Sequence, residues 1–327
     1  MDFPSLHGIE DALGNIRPHL PPTPFVRSEI FSRAFEGDVW LKNETTTPIA
    51  SFKLRGALNA ILRAKARGAL KGVTTSSTGN HGQAVAYAAR LAGLAADIFL
   101  PAIANPVKAA MIEAFGAHLH KIGHDVDAAK DASRAFGVEH DYLFIDDGND
   151  IGVMEGAGTL GLEIARDLAR LDAVIVPVGG ANLISGVATA VKALHKSARV
   201  IGVQAKGAPS LYESFKARRY VERPSDTLAD GLAQRVPPKL ALEVMIKLAD
   251  DMMLTTDDEL LSGVRTMAES AHVLVELAGA AALAGAWQRR AEFRGKTIVL
   301  ILSGANITMD LLKRALDRDP IIPLAGI

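Results

Sequence analysis

Short runs of β-branched and aliphatic residues recur along the chain, each followed by a turn rich in Gly, Ser or Asn. An Ala-rich stretch with helically spaced apolar positions comes next. Val73-Thr74-Thr75-Ser76 precedes such a stretch from about His81 to Ala92, and Ile98-Phe99-Leu100 precedes one from Pro106 to Phe115. Pro106 suits a first helical turn. Ala173 to Val178 leads into a helix through Ala188 to Leu194, then to the run Val200-Ile201-Gly202-Val203. Thr297 to Leu302 is the last clear strand and Met309 to Ala315 the last helix. Strands alternating with helices predict an α/β fold built of βαβ units, with mostly parallel sheets buried on both faces.

No repeat of solenoid length and no low-complexity segment interrupts this rhythm. The least regular stretch, Arg218 to Pro238, reads as a surface excursion within one lobe. Composition then narrows the function. Lys plus Arg number 36 against 37 Asp plus Glu, a net charge of -1. That balance gives no electrostatic reason for a nucleic-acid or anionic-membrane partner, so a small substrate is expected. Cysteine is absent, which excludes disulfides, a thiolate nucleophile and a Cys-based zinc site, and fits a reducing cytoplasm. Met1 to Ser5 lacks the basic-then-apolar pattern of a signal peptide. The apolar runs are far shorter than the roughly 20 residues of a membrane span. A soluble, cytoplasmic protein is expected.

Three segments share one design, in which a polar or glycine-rich turn opens a helix, the place where open α/β sheets bind ligands. In Ser51-Phe52-Lys53-Leu54-Arg55-Gly56-Ala57, a lysine stands at the positive end of a helix dipole. It is either a nucleophile activated by burial or a surface lysine whose stem packs on Phe52. Ser76-Ser77-Thr78-Gly79-Asn80-His81-Gly82 is either a carboxylate-binding loop or an ordinary cap at Ser77, Thr78 or Asn80. Pro177 to Gly186 carries the pair Gly179-Gly180 into a helix. It is neither a dinucleotide fingerprint nor a Walker A loop, and either phosphate or tight helix–strand packing accounts for it.

Taken together and in order from Lys42 to Asn306, the segments resemble the serine/threonine dehydratase and serine racemase family. These pyridoxal-phosphate enzymes have the tryptophan-synthase β-subunit type of fold, fold type II. The resemblance implies that Lys53 is the Schiff-base lysine, beside Phe52. It implies that Asn80 bonds the phenolic oxygen of pyridoxal 5'-phosphate, while Ser77, Thr78, Gly79 and His81 hold the substrate carboxylate. Gly179, Gly180, Ala181, Asn182 and Leu183 correspond to the phosphate loop, and Ser303 of Ser303-Gly304-Ala305-Asn306 to the serine facing the pyridine nitrogen. Gly231, in Thr227 to Leu232, and Glu276, in Glu276 to Ala280, match segments beside the ring; a helix-capping carboxylate is the plainer role for Glu276. The implied reaction is β-elimination from a 3-hydroxy amino acid, giving a 2-oxo acid and ammonia. Lys53 would move the Cα proton and the cofactor phosphate would protonate the departing hydroxyl.

Departures from the family pattern qualify the substrate. Ala181 and Asn182 replace two glycines of the phosphate loop, with Asn182 an added donor for the phosphate. Pro48-Ile49-Ala50 stands where a Thr-Gly pair ends the segment. Gly156-Ala157-Gly158-Thr159 lacks a glutamine at Ala157, leaving room for a bulkier substrate such as L-threo-phenylserine beside L-threonine and L-serine. Thr78 replaces the racemases' second acid/base serine, and Gln204 and Ser210 replace carboxylates of their divalent-metal site, so no metal is expected. Racemase or β-replacement activity and a non-catalytic cofactor-binding protein are the competing readings. His118, His120 and His124 read as a solvated strand end rather than ligands. Two open, twisted sheets flanked by helices are expected. One forms a large cofactor lobe, 1–70 and 149–327, and the other a mobile small lobe, 71–148. The catalytic unit takes up the 327 residues, so no appended regulatory domain is expected; a homodimer is implied by resemblance.

Overall fold

A computed structural model of the chain describes residues 3–102, 106–123 and 126–323. Its strands are β1 (Phe25–Arg27), β2 (Asp38–Asn43), β3 (Gly72–Ser76), β4 (Ala95–Leu100), β5 (His118–Lys121), β6 (Leu143–Phe144), β7 (Ala173–Pro177), β8 (Arg199–Ala205), β9 (Asp251–Thr255) and β10 (Thr297–Leu302). A six-stranded sheet runs β1-β2-β10-β7-β8-β9, and a four-stranded sheet runs β5-β4-β3-β6. Every pairing is parallel except β1 with β2. The fold is α/β, as the pattern predicts.

Helices on both faces explain the unbroken apolar runs of the central strands. In β10, Ile298, Leu300 and Leu302 face one hydrophobic cluster, while Val299 and Ile301 face another. Successive side chains of a strand point to opposite faces, so both must be apolar when both are covered. The register sets Leu300 against Leu41 on one side and Ile175 on the other. The four-stranded sheet has its own cluster, with Val73, Ile98 and Leu100 packed by the helix Asn80–Ala92 and by Leu54, Leu58 and Ile61 of the helix Lys53–Arg67.

Two expectations need revision. Residues 218–238 are not only a surface excursion, because Ala229 and Leu232 are buried and Asp230–Leu232 forms a short 3-10 turn against the core. His120 is not a solvated strand end: its Nε2 lies 2.6 Å from Asp97 Oδ1 and its ring stacks on Phe99. His118 is exposed, and His124 lies outside the described residues.

The helix Lys53–Arg67 is pinned by a buried charge cluster. Arg55 Nε donates to Glu44 Oε2 at 2.7 Å and Nη2 to Glu163 Oε2 at 2.9 Å. Lys42 Nζ reaches the same Glu163 oxygen at 2.7 Å. Arg55 and Glu44 are 1% and 0% exposed. Removing one partner from such a cluster strands the opposite charge without water. Arg55→Leu should therefore lower stability by about 3–5 kcal/mol, read as a lower urea midpoint at unchanged slope.

Candidate active site

The carboxyl ends of four strands converge. β3 runs into Ser77 to His81, β6 into Asp146-Asp147, β7 into Gly179-Gly180 and β10 into Ser303. These ends enclose a cavity of about 150 Å³ lined by Phe52, Lys53, Ser77, Thr78, Gly79, Asn80, His81, Asp147, Gly179, Gly180, Asp230, Gly231, Glu276 and Ser303, among others. Gly179 to Leu183 line a smaller recess of about 20 Å³ that shares Phe52, Lys53, Gly231 and Ser303. A third hollow of about 280 Å³ adjoins through Thr78, Asp230 and Glu276 and is lined further by Lys108, Leu228 and Asn306.

Lys53 opens its helix and is 14% exposed, with Nζ 5.2 Å from the Phe52 ring centroid and bonded to both oxygens of Asp147. Gly79 precedes the helix Asn80–Ala92 with no side-chain cap bond, so capping does not account for the hydroxyls of this loop. Asn80 Nδ2 donates to Glu276 Oε1 at 2.8 Å, and its Oδ1 accepts from Asn306 Nδ2 at 2.7 Å. Glu276 sits at the N-cap position of the helix Leu277–Gln288 without a side-chain cap bond, which sets the capping role aside. Burial pushes its carboxyl above the usual range, while Lys108 and the Asn80 amide only partly pull it back. Burial also drives His81 below the usual imidazole range, with Asp147 opposing, so the ring is neutral at pH 7. Its Nε2 lies 3.1 Å from Thr75 Oγ1.

At the phosphate-type recess, Ala181 ends the turn in a left-handed conformation, φ 63°, and offers no side-chain cap to the first helical amides. Those amides and the helix dipole favour an anion there. A Cβ at Gly179 would come within 2.2 Å of the Gly231 carbonyl, whereas one at Gly180 would make only ordinary contacts, 3.8 Å from Asp147 and Gln234 side-chain oxygens. Ala50, before the lysine, is also left-handed, φ 51°. The two positions where alanine replaces a family glycine thus both carry positive φ.

Residues 16–304 match the family described as pyridoxal-phosphate dependent enzyme. The chain belongs to this family. It is 34% identical to the L-threonine ammonia-lyase of Thermotoga maritima, over 96% of this chain and 78% of that protein. Its structure resembles a processed threonine deaminase of Solanum lycopersicum (TM-score 0.89, 30% identity, 98% and 93% of the two chains). It also resembles maize serine racemase (TM-score 0.89, 30% identity, 96% and 97% of the two chains).

A pyridoxal phosphate group suits the donors present. The lysine amine, the uncapped helix start beside Gly179 to Leu183, and the buried Ser303 meet in connected space. Two sequence expectations do not carry over. Ala157 is 1% exposed and packed in the core with Met154 and Leu160, outside the lining of the three hollows, so it opens no room for a larger substituent. Asn182 spends its amide nitrogen on the carbonyl and carboxylate of Asp147 rather than offering it to an anion. Gln204 and Ser210 serve the backbone: Gln204 accepts from the Tyr212 amide and Ser210 donates to the Gln234 carbonyl. Sequence reading passed over Asp147, Asp230 and Lys108. The signal for Asp147 was its place just after a short β-run, at a strand's carboxyl end.

Two outcomes test this geometry. A left-handed alanine costs about 1 kcal/mol, and glycine adds conformational entropy to the unfolded chain that offsets part of the gain. Ala181→Gly should thus match wild-type stability or exceed it by up to about 1 kcal/mol, whereas Ala181→Val should melt lower. A raised folded pKa at Glu276 means that the folded state holds its proton longer than the unfolded state. That contribution is full below the unfolded glutamate pKa and is lost as pH rises through the folded value. The stability difference between wild type and Glu276→Gln should change across that window and level off above it, measured by urea titration at a series of pH values.

Proposed function

We propose that the protein catalyses β-elimination of water from a small 3-hydroxy amino acid, L-threonine or L-serine, releasing a 2-oxo acid and ammonia. The observation that carries this reading is the gathering of Lys53, the Ser77 to His81 loop, Asn80 and Ser303 around one cavity. Relatives named L-threonine ammonia-lyase support the substrate class. Bound pyridoxal phosphate supplies the electron sink that makes a Cα proton removable.

The chain's own residues do the rest. The Lys53 amine, at the cavity wall, would take the Cα proton. Hydroxyls and amides of Ser77, Thr78 and Gly79 hold the substrate carboxylate, and Phe52 walls the ring's place. Ser303 lines the same cavity and would present bound pyridoxal phosphate with a hydroxyl rather than a carboxylate, a neutral partner that would not drive protonation of the ring. With that neutral partner the group would supply a weaker electron sink, a setting that would favour loss of a β-hydroxyl over transamination. Gly179 to Leu183 anchor the phosphate. The hollow beyond Thr78 receives the β-substituent; an aromatic one has lost the support expected at Ala157. Residues 71–148 form the mobile lobe of this reading, and the Asn80–Glu276 and Lys108–Asp230 contacts tie it to the remainder. A cytoplasmic homodimer belongs to the same reading on resemblance; among the described residues no helix is long and apolar enough to cross a membrane.

The protein should show visible absorption with pyridoxal phosphate that Lys53→Ala abolishes. L-threonine or L-serine should perturb it while a 2-oxo acid accumulates, and Lys53→Ala should lose about 10³-fold or more in rate. Absorption identical in wild type and Lys53→Ala would refute covalent catalysis by this lysine. Chiral analysis of residual serine, and a parallel reaction with an added thiol, separate racemisation and β-replacement from elimination.

A further inference from the structure

Both oxygens of Asp147 contact the Lys53 amine, at 2.6 and 2.5 Å. The carboxylate is itself held from one other side, by Asn182, with His81 close by but not hydrogen-bonded to it. Asn182, in the first turn of the helix Asn182–Leu194, donates through Nδ2 to Asp147 Oδ1 at 2.8 Å and to its carbonyl at 2.5 Å. His81 Nδ1 lies 3.3 Å from the same Oδ1. Asp147 is in none of the motifs that carry the family resemblance, and Asn182 is where this chain departs from them.

Resting on the reading that Lys53 bonds the cofactor, we propose that Asp147 is a positioning residue for this lysine. Its carboxylate holds the amine at the cavity wall as an ion pair whenever the amine is not covalently engaged. Asn182 is the clamp that aims the carboxylate.

The chemistry makes this pairing consequential. Capture of the cofactor's aldehyde needs a neutral amine, whose lone pair forms the new bond to carbon. The two amine hydrogens leave with the aldehyde oxygen as water. An ammonium has no free lone pair, so its third proton must first pass to solvent, and a carboxylate in contact opposes that loss.

The other charged groups facing the pair do not replace Asp147. His81 is held neutral by burial, and Asp146 is engaged by Lys130 and Arg134. The Glu276 carboxyl is raised by burial and accepts from Asn80, and Asp230 pairs with Lys108. Burial alone would push Asp147 up, but the charge of Lys53 and the hydrogen bond from its amine outweigh it and leave Asp147 below the usual range. It is a carboxylate throughout the neutral range.

The test mixes apoprotein with pyridoxal phosphate in a stopped-flow instrument and follows the lysine-dependent absorption across pH. Asp147→Asn should move the midpoint of the capture-rate profile down by about one pH unit. Capture below the wild-type midpoint should then be about tenfold faster. Asp147→Glu should return the midpoint toward wild type, and Asn182→Gly should shift it in the same direction as Asp147→Asn by a smaller amount. A folded Asp147→Asn variant with the wild-type midpoint would overturn the proposal, since a purely structural role leaves the profile in place. If Asp147→Asn fails to fold, Asn182→Gly decides alone, and an unmoved midpoint overturns the clamp and the proposal together. Absence of any lysine-dependent absorption in wild type is a separate failure, that of the Lys53 assignment itself.

Discussion

Arg55 lies two positions beyond Lys53 and is sealed among Glu44, Glu163, Thr23 and Thr159. Burial works against a charged guanidinium, yet the two carboxylates more than offset it and hold its pKa well above the usual value. Rotating the helix start by one residue would turn Arg55 by about 100° and leave two carboxylates unpaired in the interior. The direction of Lys53 is therefore inherited from Arg55. The same cluster joins the end of β2, through Lys42 and Glu44, to the helix Ile151–Asp167, through Thr159 and Glu163. The stretch that places the Lys53 amine is thus tied to the six-stranded sheet.

From that anchor, the chemistry is assembled by convergence of strand ends. Parallel strands deliver their following turns to one edge, and the two sheets together bring Ser77 to His81, Asp147, Gly179, Gly180 and Ser303 around one cavity. Charge is distributed unevenly there. Lys53 meets Asp147, Lys108 meets Asp230, His81 is neutral, and Glu276 holds its proton to higher pH than a solvated glutamate. The helix starts at Asn80 and Asn182 lack side-chain caps, so their amides favour negative charge there without a dense cluster of cations.

The departures from the family pattern acquire a physical sense in three dimensions. Ala50 and Ala181 occupy left-handed backbone on either side of the lysine and the phosphate-type recess. An L-residue is strained there, and such strain persists only where neighbouring contacts over-determine the backbone. At Ala50 those contacts are visible: its carbonyl accepts from the Ala305 amide, and Asn306 holds the carbonyl of Ile49. Asn182, one step beyond Ala181, exchanges a glycine's smallness for a grip on Asp147.

Sequence by itself determined the α/β class, most of the strands from Val73 onward and the turns where chemistry gathers. Each is a local property: apolar runs of strand length, helical spacing, and glycine or hydroxyl residues where a helix begins. What tertiary structure decided were the partners. Asp147 stands 94 positions from Lys53, and Glu276 stands 196 from Asn80, separations that no periodicity spans. For the same reason Ala157 could be read as lining a substrate site until the packing of its helix turned it into the core. His120 could be read as solvated until β4 placed Asp97 and Phe99 beside it. Local pattern specifies which face of an element is buried; only the packed chain specifies which group from another element meets it there.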